Sequence, residues 1–454
     1  MKFNFLMDNF SQRLNNVIPG GAHTYSRGDD QFPSNAPSIL ARGEGAYVWN
    51  PEGKKFLDYG MGLRSVNIGY GNKEVADAVY KEILDGNNLT RASLTELKSA
   101  ELLSSIIPSA EMVKFAKHGS TVTTAAVKLA RAFTGRKYIA IPSEQPFFSF
   151  DDWFIGSTVL QKGVLLDASN YTIRFHYKDL DSLKDLFDAY PDQIAGIIME
   201  AATTMNPCHI SCDHDRTCAS CPRNEENFLK RTQDLAHKNG AVFILDEMIT
   251  GFRWDFQGAQ KYYGITPDLS TFGKAMANGF AVAALTGKKE IMSLGDIMAV
   301  GQERVFLTST THGAEMGALG AFIKTMEILQ RDQVVKHFWD YGRKLKDGMN
   351  RISQDLSLTE QFFVEGYPCS LNYVTKDIKG QISLDFRTLF AQELINNGVM
   401  MPYIALCQSH GDEELEITLN AVRESLIIYK KALEEGIIRY LSGPSIKPVF
   451  RKYN

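Results

Sequence analysis

The chain has 454 residues, of which 44% are hydrophobic and 22% charged, with a formal charge of −4. That length is too great for one core, so two or three lobes of an ordinary globular protein are expected. The weakly acidic balance gives no footprint for nucleic acid, and no apolar run reaches the ~18 residues of a membrane span. Asp8 interrupts the apolar N-terminus, which lacks a signal-peptide core and cleavage site, so cytoplasmic residence is the default expectation.

Residues 1–71 are expected to form an N-terminal segment that belongs to a smaller lobe. Ala46–Trp49 and Lys55–Tyr59 are strand-like, and Asn50-Pro51-Glu52-Gly53 between them has turn chemistry, which predicts a hairpin. Residues 72–311 are expected to form a large α/β domain. Lys137–Ile141, Ile194–Met199 and Ala241–Leu245 are continuous apolar runs of the kind buried on both faces of a sheet. Segments 121–133, 179–189 and 225–238 alternate with them and carry helix-period apolar residues. The alternation predicts a mainly parallel sheet, whose ligands gather at the carboxyl ends of strands. Glu200 and Asp246 lie at such ends. From 312 to 454 the pattern changes to helices at 314–330 and 333–353, a strand at 369–375, and helices at 384–396 and 413–434, an α+β small domain. The mildly basic tail 439–454 is expected to be solvated.

Within the α/β region, His118-Gly119-Ser120-Thr121 precedes a helical stretch. Free backbone N–H groups and two hydroxyls at a helix start suit an anion, although Ser and Thr are also common plain N-caps. Further on, Asp246 ends an apolar strand, and Lys274 follows 28 positions later in Pro267-Asp-Leu-Ser-Thr-Phe-Gly-Lys274. A lysine amine that forms a Schiff base and an acid that keeps a pyridine nitrogen protonated are what pyridoxal phosphate requires. A surface lysine and a strand-end acid would look the same if each stood alone.

The ordered motifs run nearly end to end. They are Pro19–Arg27, Asn50–Tyr59, Gly119-Ser120-Thr121, Ala130–Arg136, Ile197–Glu200, Leu245–Arg253 and Pro267–Lys274. With them the chain resembles the class III, fold type I pyridoxal phosphate aminotransferases, and within that family it is most similar to the aminomutases of glutamate-1-semialdehyde. The resemblance implies that Lys274 and Asp246 are catalytic. It implies that Gly119, Ser120 and Thr121 hold the phosphate, and that Glu200 is the strand-end acid near the cofactor. It further implies a hydroxyl from the neighbouring subunit, for which Ser309 or Thr310 in Thr308–Gly313 is chosen, and hence a homodimer with shared sites. Arg27 matches the arginine that grips a substrate carboxylate.

Departures bear on the substrate. Phe147-Phe148-Ser149 stands where relatives carry Tyr-His-Gly, so Phe147 keeps the stacking face and loses the polar functions. Leu63 replaces a tryptophan, and Arg64 after it would bind a second anion or pair with a local acid. An aminomutase must retain its half-reacted intermediate, so these losses favour ordinary transamination between a small amino donor and a small aldehyde or keto compound, in sugar or other specialised biosynthesis. The aminomutase is the second reading. A non-catalytic binding protein on the same fold is a remote third, because Lys274 and Asp246 are both present.

Cys208, Cys212, Cys218 and Cys221 fall within fourteen residues of a loop, with His209 and His214 interleaved. Four thiolates satisfy the count for tetrahedral zinc, though the spacing is not a standard knuckle, and a loop of reduced cysteines is the other reading. Cys369 and Cys407 are expected to pack in the smaller lobe.

Overall fold

The computed structural model describes residues 10–165, 167, 170–203, 205–208, 227–298 and 300–454. The chain divides into two compact units, Lys73–Val335 (with Lys452–Asn454) and Met1–Asn72 with Lys336–Arg451. Their boundary falls after Val335, not at 311/312, because the helix Met316–Arg331 packs on Lys73–Leu84 and Leu94–Ile106 and so goes with the larger unit.

Strands in chain order are β1 (Arg42–Glu44), β2 (Tyr47–Trp49), β3 (Lys55–Asp58), β4 (Met112–Ala116), β5 (Tyr138–Pro142), β6 (Thr172–Phe175) and β7 (Ile194–Glu200). They continue with β8 (Val242–Asp246), β9 (Leu269–Phe272), β10 (Ala283–Gly287), β11 (Phe362–Tyr367), β12 (Ser370–Thr375) and β13 (Val399–Met400). The larger unit holds a seven-stranded sheet in the order β4-β10-β9-β8-β7-β5-β6. All its neighbours pair in parallel except β10, which runs antiparallel to β4 and β9. Every residue of β7 and β8 is buried, so these strands need no polar face and their sequences are continuous apolar runs.

Local chemistry fixes the helices around the sheet. Gly119–Thr134 is stopped by Gly135, whose φ of +68° suits a left-handed cap. It lies close over β7 at Gly196, where a Cβ would stand 3.2 Å from that of Ala130 and 2.9 Å from the Val242 carbonyl oxygen. Leu94–Ile106 opens on a reciprocal capping box between Ser93 and Glu96.

In the smaller unit, the expected hairpin is β2 and β3, paired antiparallel, with the Lys54 amide donating to Asn50 Oδ1 at 2.7 Å. β13 joins β3 in parallel and ties the N-terminal segment to the C-terminal one. Tyr59, Tyr341 and Thr418 share buried hydroxyl hydrogen bonds of 2.6 and 2.8 Å, and the His410 ring stacks on Tyr59 at 4.4 Å. Cys369 and Cys407 are buried here. The tail is largely exposed, as its basic composition suggests, yet it is anchored at several points. Its backbone pairs with residue 30 through the Lys447 amide (2.9 Å), Gln31 Nε2 donates to the Lys447 carbonyl (2.9 Å), and Arg451 bridges Asp30 (2.5 Å).

Candidate active site

β7, β8 and β9 end side by side, and their register sets Glu200 opposite Asp246 and Asp246 opposite Thr271. Both carboxylates are buried. Asp246 Oδ1 accepts from the Met248 amide at 2.9 Å and from Thr271 Oγ1 at 3.1 Å. Burial pushes the Asp246 carboxyl up to about 6, against the opposing pull of these bonds and of the Lys274 charge. A buried acid only partly compensated by the chain is suited to face a cation.

Lys274 follows β9 directly, at the start of a 3₁₀ turn over Lys274–Ala277. Its φ is +42°, a left-handed value that a side-chain-bearing residue adopts only when its surroundings impose it. Gly273 before it comes so near Met248 that a Cβ there would stand 2.7 Å from Sδ. A Cβ on Gly119 would meet the same sulfur at 2.8 Å. Gly119 of the phosphate-type turn and Gly273 before the lysine thus both pack against the side chain of Met248, whose amide bonds to Asp246. Met248 was missing from the sequence reading; its position two residues after Asp246 was the only signal.

Gly119-Ser120-Thr121 forms the first turn of its helix, one turn earlier than the expected start near Val122, behind His118 in extended conformation. Ser120 is buried, and its Oγ accepts from the Phe150 amide at 3.1 Å. Thr121 Oγ1 lies 2.9 Å from His118 Nδ1. Phe147 is 45% exposed and edge-on to Phe154 at 5.8 Å. Gln145, another residue that sequence reasoning passed over, fixes this segment to the site. Its side chain accepts from the Glu200 amide (2.8 Å) and donates to the Glu200 carbonyl (3.0 Å). Glu247, beside Asp246, is a structural acid: it accepts from the Ala259 and Gln260 amides and from Thr250.

Ser309 and Thr310 lie exposed in an irregular segment. Arg27 and Arg64 belong to the smaller unit. Arg27 is exposed at the end of a 3₁₀ turn, Tyr25–Arg27. Arg64 ends four successive residues with positive φ, Met61, Gly62, Leu63 and Arg64 at 41°, 56°, 63° and 66°. Left-handed backbone costs roughly 1–2 kcal/mol per side-chain-bearing residue. Asp58 holds this turn, accepting from the Gly60 and Met61 amides and from Tyr70 at 2.7–2.9 Å. The Arg64 guanidinium lies over the Tyr403 ring at 4.9 Å. Of the cysteine cluster, Cys208 is buried, while Cys212, Cys218 and Cys221 lie outside the described residues. Among the described residues no group of three His, Cys, Asp or Glu side chains is placed to hold a metal.

The donor set of the larger unit fits pyridoxal phosphate. A helix start with two hydroxyls suits the phosphate, and a buried acid lies beside a lysine.

Comparison with known proteins agrees. The chain is 34% identical over 425 residues to a 3-aminobutyryl-CoA aminotransferase of Cloacimonas acidaminovorans, covering 92% of this chain and 95% of the relative. It is 28% identical to a glutamate-1-semialdehyde 2,1-aminomutase of Alkaliphilus oremlandii, with coverage of 91% and 96%. The structure of the FumI protein of a Sphingopyxis species, which holds pyridoxal phosphate, shares the fold with a TM-score of 0.80 at 23% identity, with coverage of 94% and 96%. The sequence pattern of the family described as aminotransferase class-III matches residues 30–437. The chain therefore belongs to the class III aminotransferases, pyridoxal phosphate enzymes of fold type I.

Proposed function

We propose that the protein moves an amino group from a small amino donor to an aldehyde or keto compound, with Lys274 and Asp246 as its catalytic residues. The observation that carries this reading is the convergence of Gly119, Gly273 and Asp246 on Met248, directly beside Lys274. Bound pyridoxal phosphate supplies the electron sink that makes the carbon bearing the amine acidic. The Lys274 amine takes the proton from that carbon and returns it, as general base and then general acid. Asp246 would partner the protonated ring nitrogen; a facing cation would lower its pKa from near 6 and keep it ionised at neutral pH.

The amides and hydroxyls of Gly119, Ser120 and Thr121 receive the phosphate at the positive end of their helix. Phe147 would stack on the ring, and Glu200 would border it next to Asp246. Ser309 or Thr310 completes the phosphate site of a second copy in a homodimer. Their exposure supports this, as does the exposure of Ile297, Met298, Val300 and Phe306 nearby in the same stretch. Arg27 grips a substrate carboxylate and Arg64 a second anion.

The 34% identical relative adds a coenzyme A thioester to the acceptors worth testing. Placement in sugar or other specialised biosynthesis rests on the sequence departures alone. The aminomutase reading keeps support from the 28% identical relative. Amino-donor and carbonyl panels with mass-spectrometric detection separate the two. Aminated acceptor formed only when donor is present supports transamination, and an amino aldehyde isomerised without donor supports the aminomutase. Neither product from any pair would remove both. A structural zinc on the four cysteines is proposed on spacing alone; freshly purified protein without zinc or iron on elemental analysis eliminates it.

A further inference from the structure

Within the larger unit, the segment 147–151 is pinned to the start of the helix Gly119–Thr134. Thr123 Oγ1 donates to the Phe148 carbonyl (2.8 Å), the Phe150 amide donates to Ser120 Oγ (3.1 Å), and Thr124 Oγ1 donates to the Asp151 carboxylate. Ser120, Thr123 and Ser149 are all buried.

The direction of the bonds around Thr124 follows from what each group can do. The indole N–H of Trp153 only donates, and it reaches Thr124 Oγ1 at 2.8 Å. Thr124 gives its one proton to Asp151, so the Ser149 hydroxyl, 3.1 Å away, must donate to Thr124. The competing acceptor, the Ser120 carbonyl, is farther off at 3.5 Å. Ser149 Oγ in turn accepts from the Asp151 amide at 3.1 Å. The ring of bonds closes through Ser149, which stands where relatives carry a glycine.

The consequence falls on Ser120. Its oxygen already accepts from the Phe150 amide, and among the described residues no acceptor takes its own proton. The side chain is only 6% exposed, and a buried hydroxyl left without an acceptor is unfavourable. At the positive end of a helix, the acceptor that fits is an anion.

We propose that Ser149 is a positioning residue for the cofactor's phosphate. Through Thr124 and Asp151 it locks the segment 147–151, so that the Phe150 amide occupies the acceptor side of Ser120 and turns that hydroxyl to donate to the phosphate. The inference rests on the reading of Gly119, Ser120 and Thr121 as the phosphate turn and deepens it: the turn supplies the donors, and a second segment sets the direction of one of them.

Full-length protein stripped of cofactor and titrated with pyridoxal phosphate and with pyridoxal, followed by near-visible absorbance, tests it. The wild type should bind the phosphorylated form more tightly. Ser149→Ala should weaken that form about tenfold, the scale of one charge-assisted hydrogen bond, and leave pyridoxal within about twofold. Thr124→Val should do the same, and Thr124→Ser, which keeps the hydroxyl, should hold the wild-type ratio. In a Ser120→Ala background, Ser149→Ala should weaken the phosphorylated form no further, because the hydroxyl it orients is gone. Equal weakening of both forms, or a full extra loss on top of Ser120→Ala, is the mark of a merely structural segment and overturns the proposal. So does an unchanged ratio in Ser149→Ala. A wild type with no preference for the phosphorylated form overturns the underlying reading of the turn as well, and so tells the two failures apart.

Discussion

The larger unit carries its chemistry on neighbouring strand ends, whereas the smaller unit assembles a cavity of about 970 Å³ from stretches scattered between residues 11 and 447. In the larger unit parallel pairing does the placement: once β7, β8 and β9 are in register, Glu200, Asp246 and the approach to Lys274 are fixed. In the smaller unit the sheet β1-β2-β3-β13 supplies Arg42, Gly43, Val48, Asp58 and Met400 to the cavity, and the rest of its wall comes from turns and the tail, held by single side-chain bonds to Asp58, Gln392 and Asp30. A site built on a ladder tolerates changes in its surroundings, and a site built on single contacts is where a family can vary its substrates.

If that contrast is right, substitutions in the larger unit should abolish chemistry, and those in the smaller unit should move stability or selectivity. Lys274→Ala should lower turnover by at least about 10³-fold, since it removes the proton-transfer group. Steady-state assays of protein that still melts cooperatively would check this, and retained activity would break the assignment. Asp246→Asn should keep the cofactor bound yet slow proton abstraction by about 10²–10³-fold, the scale of losing one preorganised charge. A deuterium-labelled donor followed in a single turnover would measure it.

Gly342→Ala probes the smaller unit. The new methyl would stand 1.8 Å from the Pro368 carbonyl oxygen, a backbone atom that cannot swing aside. Overpacking of this kind should cost about 3 kcal/mol, more than the small gain in helix propensity, and a denaturant titration would read it.

One buried group in each unit should also respond oppositely to acid. In cofactor-free protein Asp246 has a folded pKa of about 6 against an ordinary 3.8. The native state therefore binds its proton more tightly, and stability falls as pH rises from about 4 to 6. His410, fully buried, is pushed down to about 4 from 6.5. The unfolded chain then binds its proton more tightly, and stability rises over about pH 4 to 6.5. Each contributes on the order of 3 kcal/mol across its window. The terms nearly cancel in the wild type, so melting curves of Asp246→Asn and His410→Phe should tilt in opposite directions between pH 4 and 6.5. Parallel slopes would contradict the burial argument.

How far the sequence could be read follows the same division. β7 and β8 announce themselves as uninterrupted apolar runs, and strand-end placement of Glu200 and Asp246 follows directly. The lysine stands at a fixed distance down the chain, and the hairpin turn at Asn50–Gly53 has its own local chemistry. Met248 and Gln145 were missed because their roles depend on which backbones pass beside them, and a side chain that packs between two glycines leaves no periodic signal. The anchoring of the tail was missed for the same reason: its basic composition points to solvent, where most of it lies, but its partners Asp30, Thr388 and Gln392 lie far away in sequence. The left-handed run at Met61–Arg64 contains a single glycine, so composition gave no warning of it.

The most direct test of the account is to reduce the holoenzyme with borohydride and map the peptides by mass spectrometry. A phosphopyridoxyl mass on Lys274, lost in Lys274→Ala, is the result predicted here. The same mass on another lysine, with Lys274 unmodified, would contradict the central assignment.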